Sequence, residues 1–242
     1  MQEPTTPAER AKFAAARRAL DYVEPGMRLG LGTGSTAVFL VRLLGERMAD
    51  RDLLCVPTSS RTAALATECG LNVRALEDVD ALDLTIDGAD EFDPGLTLIK
   101  GGGGSLLQEK IVAAASARMV VIADESKAVS RLGAFPLPVE VVRFGWRSTM
   151  RHIERLLATE DVDGRGVRRR TAGDEPFVTD EGHFILDLDL GRIGDAPGLA
   201  RRLDSLPGVV ETGLFLGLAD AAIVGREDGG VDFVERVSGD RT

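Results

Sequence analysis

Residues 87–110 crowd acids, a lysine and bare backbone into one stretch: Asp87-Gly-Ala-Asp90-Glu91, then Lys100-Gly-Gly-Gly-Gly-Ser105-Leu-Leu-Gln108-Glu109-Lys110. An acid can take a proton, a cation can hold developing negative charge, and glycine leaves its N–H groups unshielded. Proton transfer on a small oxygenated anion needs all three. Three acids within Asp87–Glu91 repel one another unless something balances them. A capped turn, a Mg²⁺ ion or Lys100 each answers that need. Ser105 and Gln108 match a capping box, which puts Glu109 in the first turn of a helix. The helix dipole there favours the ionised carboxylate, as a base or simply as a helix-stabilising charge. The run Gly101, Gly102, Gly103, Gly104 offers N–H groups to an oxyanion.

Other segments have the types that hold anions. Gly30-Leu-Gly32-Thr33-Gly34-Ser35-Thr36 falls between a strand and a helix, where backbone N–H groups and the helix N-terminus suit phosphate. No Gly-Lys-Ser/Thr follows, so it is not a Walker loop, and Ser35 takes the third glycine place of the dinucleotide fingerprint. Thr58-Ser59-Ser60-Arg61-Thr62 reads equally as a ligand loop or as an N-cap cluster. Asp124-Glu-Ser126-Lys127 is another strand-end turn and offers Lys127 to an anion. The chain has 25 arginines but only four lysines, Lys12, Lys100, Lys110 and Lys127. A compact ammonium kept against such a skew draws attention to those positions. His152 and His183 are the only histidines, and neither completes a Ser-His-Asp or zinc set. Arg168-Arg169-Arg170 reads as a solvated strand face or a subunit contact.

The elements that must position these residues alternate. Helices are expected at 8–24, 35–48, 61–68 and 106–116, and strands at 27–32, 53–57, 73–76, 82–86, 96–99 and 119–123. Short, mostly apolar strands between helices predict an α/β fold, a doubly wound, mostly parallel, Rossmann-like sheet. From residue 132 the order becomes β-α-β-β-α-β, with strands at 139–142, 167–170, 183–190 and 209–215 and helices at 146–157 and 199–206. That order predicts a smaller α+β split-βαβ (ferredoxin-like) domain. Strict alternation over 183–190 predicts a strand with one exposed face. Strands at 221–224 and 231–234 are expected to rejoin the first sheet. The domains are thus 1–131 with 216–242, and 132–215.

The 242 residues suffice for two such cores. A formal net charge of −10 disfavours nucleic acid and anionic membranes as partners. No apolar run nears the roughly 18 residues of a membrane span. Met1–Pro7 lacks the basic and apolar regions of a signal peptide. Cys55 and Cys69 lack metal-ligand spacing and read as reduced thiols of a cytoplasmic protein.

Taken together, Gly30–Thr36, Asp87–Glu91, Lys100-Gly-Gly-Gly103 and Val121-Ile-Ala-Asp-Glu-Ser-Lys127 resemble ribose-5-phosphate isomerase A in order and spacing. Phe135-Pro-Leu-Pro-Val-Glu140 and Pro207-Gly-Val-Val-Glu-Thr-Gly213 resemble the same family, and the likeness runs from about residue 8 to residue 234. It implies aldose–ketose isomerisation of D-ribose 5-phosphate and D-ribulose 5-phosphate in the pentose phosphate pathway, with no cofactor and no metal. By that resemblance Glu109 is the base, and Asp87, Asp90 and Lys100 hold hydroxyls and the oxyanion. Thr33, Gly34, Ser35, Thr36, Gly88, Ala89, Gly101, Gly102, Gly103 and Lys127 line the substrate, and Lys12 falls where the family often has a lysine near phosphate. The family also implies a homodimer or homotetramer, and Met1–Pro7 reads as a disordered tail.

Two other functions compete. A non-catalytic sugar-phosphate sensor would carry a helix-turn-helix, for which the roughly 26 residues before the first strand are too few. A dinucleotide-dependent oxidoreductase wants an acid about 20 residues past the glycine loop. Asp50 and Asp52 are near that distance, but the loop departs from the fingerprint.

Overall fold

The computed structural model describes residues 4–236. Met1–Glu3 of the expected tail lie outside the described residues, whereas Pro7 already begins a helix. Thr6 caps that helix, Pro7–Ala19, in a reciprocal box with Glu9, and proline sits where its missing N–H costs nothing. The helix is shorter than the expected 8–24 because Leu20–Tyr22 tightens into a 3₁₀ turn.

Contacts divide the chain into two units. The first comprises residues up to Ala89, Gln108–Ala128 and those from Gly217 on. Its seven-stranded sheet contains Arg28–Leu31, Leu54–Pro57, Asn72–Val73, Leu84–Asp87, Met119–Asp124, Ala221–Gly225 and Val231–Glu235. Every pairing is parallel except that of the edge strand Val231–Glu235, which returns antiparallel to Ala221–Gly225 as a hairpin. The expected return of the last two strands therefore holds. Leu29, Leu31, Leu84, Ile86, Val120, Ile122 and Ile223 are buried on this sheet. Ala15, Ala19, Leu40 and Leu44 of the helices Pro7–Ala19 and Ser35–Met48 complete that core. The strand expected at 73–76 shrinks to Asn72–Val73, because Leu76–Asp78 forms a 3₁₀ turn.

The second unit comprises Asp90–Leu107 and Val129–Leu216. Its four-stranded sheet runs Val209–Thr212, Leu137–Val141, Phe184–Asp189, Gly166–Arg169, all antiparallel. With the helices Trp146–Leu157 and Ala196–Asp204 this is the expected ferredoxin-like order. Leu137, Val139, Ile153, Leu157, Leu186, Leu188, Leu199 and Leu203 form its core.

Three expectations are corrected here. Residues 90–107 belong to the second unit rather than to a first domain of 1–131, and the strand expected at 96–99 is not part of the parallel sheet. Leu98–Ile99 instead pairs antiparallel with both Glu91–Phe92 and Leu214–Phe215 in a three-stranded sheet. Gly213 divides the strand expected at 209–215, so Val209–Thr212 and Leu214–Phe215 serve different sheets. Finally, the strand around residue 186 is not half-exposed. Phe184 to Leu188 are all buried and only Asp189 is open, because Asp187 is covered with an arginine partner.

Candidate active site

In the parallel sheet, the turns that follow Arg28–Leu31, Leu54–Pro57, Leu84–Asp87 and Met119–Asp124 all leave from one edge, the carboxyl edge where open α/β sheets bind ligands. Asp87 ends its strand with none of its surface exposed. Its Oδ1 accepts N–H bonds from Thr33 at 3.1 Å and Gly88 at 2.7 Å. Gly32 makes this contact: a Cβ there would lie 1.9 Å from Asp87 Oδ1 and 2.5 Å from its Cα. Gly32→Ala is therefore expected to lose at least about 1–3 kcal/mol of stability by overpacking. Chemical denaturation measures this, and an unchanged midpoint would show that Asp87 can move aside.

The Gly30–Thr36 loop divides its work. Thr33 Oγ1 lies 2.8–3.0 Å from the hydroxyls of Thr58, Ser59 and Thr62 in a buried cluster. Its hydroxyl thus ties two strand-end loops together. Ser59 accepts the Thr62 N–H as an N-cap, so the capping reading of 58–62 is correct in structure. Gly34, at φ +129°, is the N-cap of the helix Ser35–Met48 and supplies no capping side chain. The exposed Ser35 hydroxyl instead accepts a 3.0 Å bond from Lys12 Nζ, which the first helix delivers. A lysine, a hydroxyl and helix N–H groups therefore meet at one helix start, a combination suited to phosphate. Lys127 is half-buried in the 3₁₀ turn Glu125–Lys127, which Asp124 caps by accepting the Ser126 N–H at 3.0 Å.

Glu109 lies in the first turn of the helix Leu106–Ala114, which begins after Ser105 as expected, and is 3 % exposed. This helix leads by a short link into the parallel strand Met119–Asp124. A helix in such a crossover runs back along the sheet, so its N-terminal turn belongs to the carboxyl edge.

The second unit places Asp90, Lys100 and the glycine run. Asp90 Oδ2 accepts the Gly102 N–H at 2.7 Å, and a Cβ on Gly102 would lie 2.5 Å from Asp90 Oδ1. Lys100 is 2 % exposed. Its own N–H bonds Gly213 O at 2.9 Å, and its Nζ lies 5.4 Å from the centre of the Phe215 ring. Glu91 accepts the N–H groups of Gly133 and Phe135, at 2.7 and 2.5 Å, so it is a brace for that loop. Each carboxylate of the Asp87–Glu91 cluster thus has backbone N–H donors of its own. Among the described residues no group of three His, Cys, Asp or Glu is arranged to hold a metal ion.

The arginine run is more divided than its expected role as a solvated face or subunit contact. Arg168 pairs with the exposed Asp189, Arg169 stacks 4.4 Å from the Trp146 ring centre, and Arg170 turns inward to Asp187. Sequence reasoning missed Arg170. The signal was Asp187, a carboxylate between Leu186 and Leu188 that must find a cation once buried.

The family model for ribose 5-phosphate isomerase A (phosphoriboisomerase A) matches residues 54–229. The chain belongs to that family. It is 57 % identical to ribose-5-phosphate isomerase A of Dinoroseobacter shibae over 96 % of this chain and 90 % of that protein. It is 59 % identical to that of Ruegeria pomeroyi over 94 % and 87 %. A solved D-ribose-5-phosphate isomerase in complex with phospho-erythronic acid superposes with a TM-score of 0.88 at 38 % identity, covering 95 % of this chain and 99 % of the other. The ribose 5-phosphate isomerase A of Methanocaldococcus jannaschii gives 0.85 at 36 % identity, covering 93 % and 97 %. No helix of the described residues is long and apolar enough to cross a membrane.

Proposed function

We propose that this protein interconverts D-ribose 5-phosphate and D-ribulose 5-phosphate through a cis-enediolate. The observation that carries the reading is Glu109: a carboxylate 3 % exposed, in the first turn of the helix that follows the glycine run of an isomerase-family chain. On the open-chain aldose Glu109 takes the C2 proton, and the C2–H electrons form the C1=C2 bond while O1 becomes the oxyanion. The O2 proton passes to O1, so that the negative charge moves to O2. The O2 electrons then form the C2 carbonyl while the C1=C2 electrons take the proton back from Glu109 at C1. The Lys100 ammonium and glycine N–H groups stabilise the charge on O1, the largest kind of contribution such sites make. Asp87 and Asp90 hold the sugar hydroxyls. Lys12, Ser35, Thr36 and the helix start behind Gly34 hold the phosphate, with Lys127 as a further cation.

The relative bound to phospho-erythronic acid supports this reading. A sugar acid phosphate carries a planar, charged carboxylate that resembles an enediolate, and mimics of that kind bind where the charge develops.

Proton NMR on ribose 5-phosphate in D₂O tests the proposal. Ketose is expected without nucleotide, with deuterium entering at carbon, and with the same rate in EDTA. Binding without turnover would support the sensor. Activity lost in EDTA and restored by Mg²⁺ would give Asp87 and Asp90 to a metal.

The proposal extends to the setting. The enzyme works in the cytoplasm on a free sugar phosphate, as a homodimer or homotetramer, and binds no nucleic acid. The net charge of −10 supports the last point.

A further inference from the structure

We infer that Arg170 is a positioning residue for the isomerisation: it fixes the glycine run and, through one peptide plane, Asp90. This rests on the function proposed above. Arg170 follows the strand Gly166–Arg169, and its side chain is mostly covered, as is that of Asp187. Its Nε bonds Asp187 Oδ2 at 3.1 Å, and Nη2 bonds Oδ1 of the same carboxylate. This two-point grip sets the plane of the guanidinium. The remaining nitrogen, Nη1, donates to Gly101 O at 2.7 Å and to Gly102 O at 3.2 Å.

The consequence follows from peptide geometry. The C=O and N–H of a trans peptide point in opposite directions, and the described residues contain no cis bond. The peptide joining Gly101 to Gly102 is therefore pinned on both sides, its C=O by Arg170 and its N–H by Asp90 Oδ2. A shift of that plane moves Asp90. The Gly102 carbonyl is drawn the same way, which directs the Gly103 N–H away from the guanidinium. Arg170 thereby sets which way the donors of the run face.

Phe177 closes the arrangement. Its N–H bonds Arg170 O at 3.0 Å, and its ring centre lies 5.9 Å from the guanidinium carbon. A Cβ on Gly104 would lie 2.3 Å from this ring, so the ring packs against the end of the run. Only a planar fork can grip a carboxylate and two carbonyls together, and an ammonium cannot.

The test is kinetic. Arg170→Lys keeps a charge beside Asp187, so folding is retained, while the fork is lost. Its kcat is expected to fall by up to about 10²-fold, the scale of a small misplacement of reacting groups. KM should change much less, because the phosphate contacts are untouched. Arg170→Ala should fall at least as far and regain activity in millimolar guanidinium chloride, far below denaturing concentrations. Arg168→Ala, which removes the exposed neighbouring pair, should behave as wild type. Wild-type kcat in folded Arg170→Lys, or no guanidinium rescue of Arg170→Ala, overturns the inference. Absence of isomerase activity in the wild type would instead overturn the function on which it rests.

Discussion

Glu109→Gln lowers kcat by about 10²–10⁴-fold or more and leaves binding of phospho-erythronic acid largely intact. The amide keeps the shape of the carboxylate and can occupy the same place in the first turn of Leu106–Ala114. It cannot accept a proton and hold it as an acid for return to C1. Phosphate and hydroxyl contacts come from other residues, so the deficit belongs to the transition state and appears in kcat rather than KM. Stopped-assay turnover with ribose 5-phosphate gives kcat, and calorimetric titration with the sugar acid gives binding. Near-normal turnover would remove Glu109 as the base. Equal losses of binding and turnover would make it a structural charge at the helix start, the other role open to it. The measurement is independent of Arg170, which leaves Glu109 in place.

Much of the architecture was legible because local and global preferences agree. Apolar strands alternate with helices, and the β-α-β-β-α-β order folds as read. Short strands were the weak point. A two-residue run such as Leu98–Ile99 has no periodicity that says which sheet it joins, and its partner Leu214–Phe215 is more than a hundred residues away. The split at Gly213 has the same origin. Packing is the reason: a Cβ there would lie 2.4 Å from Lys100 O, and no pattern in the sequence reports that closeness.

The site was legible in its types and less so in its division of labour. Asp87, Asp90 and Glu91 look alike in sequence, yet each accepts a different set of backbone N–H groups. Only the fold shows that Glu91 braces the loop at Gly133–Phe135. Thr33 was read with Ser35 and Thr36 as a ligand hydroxyl, but the neighbouring Thr58, Ser59 and Thr62 hold it. Arg170 was hidden among three consecutive arginines, because alternation along a strand says which face a side chain takes and nothing about which loop waits there.

Lys100→Arg is expected to lower kcat by about 10²–10³-fold, the usual loss for one oxyanion donor. The substitution keeps the charge and uses the cation this chain otherwise prefers, 25 arginines against four lysines. Its effect must therefore come from shape. Lys100 is 2 % exposed, and its backbone is fixed through Gly213 O in the crowded turn before Leu214. A guanidinium is wider and planar, and in a packed site it must displace neighbours at a cost of about 1–3 kcal/mol. Its donors also cannot occupy the position of one compact ammonium. Lys110→Arg, one residue past the base and only half-buried, is the matched control and should stay near wild type. The pair asks whether scarcity of lysine marks function by itself. Equal losses at both positions would support the scarcity argument, whereas loss at Lys100 alone shows that burial at the end of a strand decides. Wild-type kcat in a folded Lys100→Arg protein would leave oxyanion stabilisation to the glycine N–H groups.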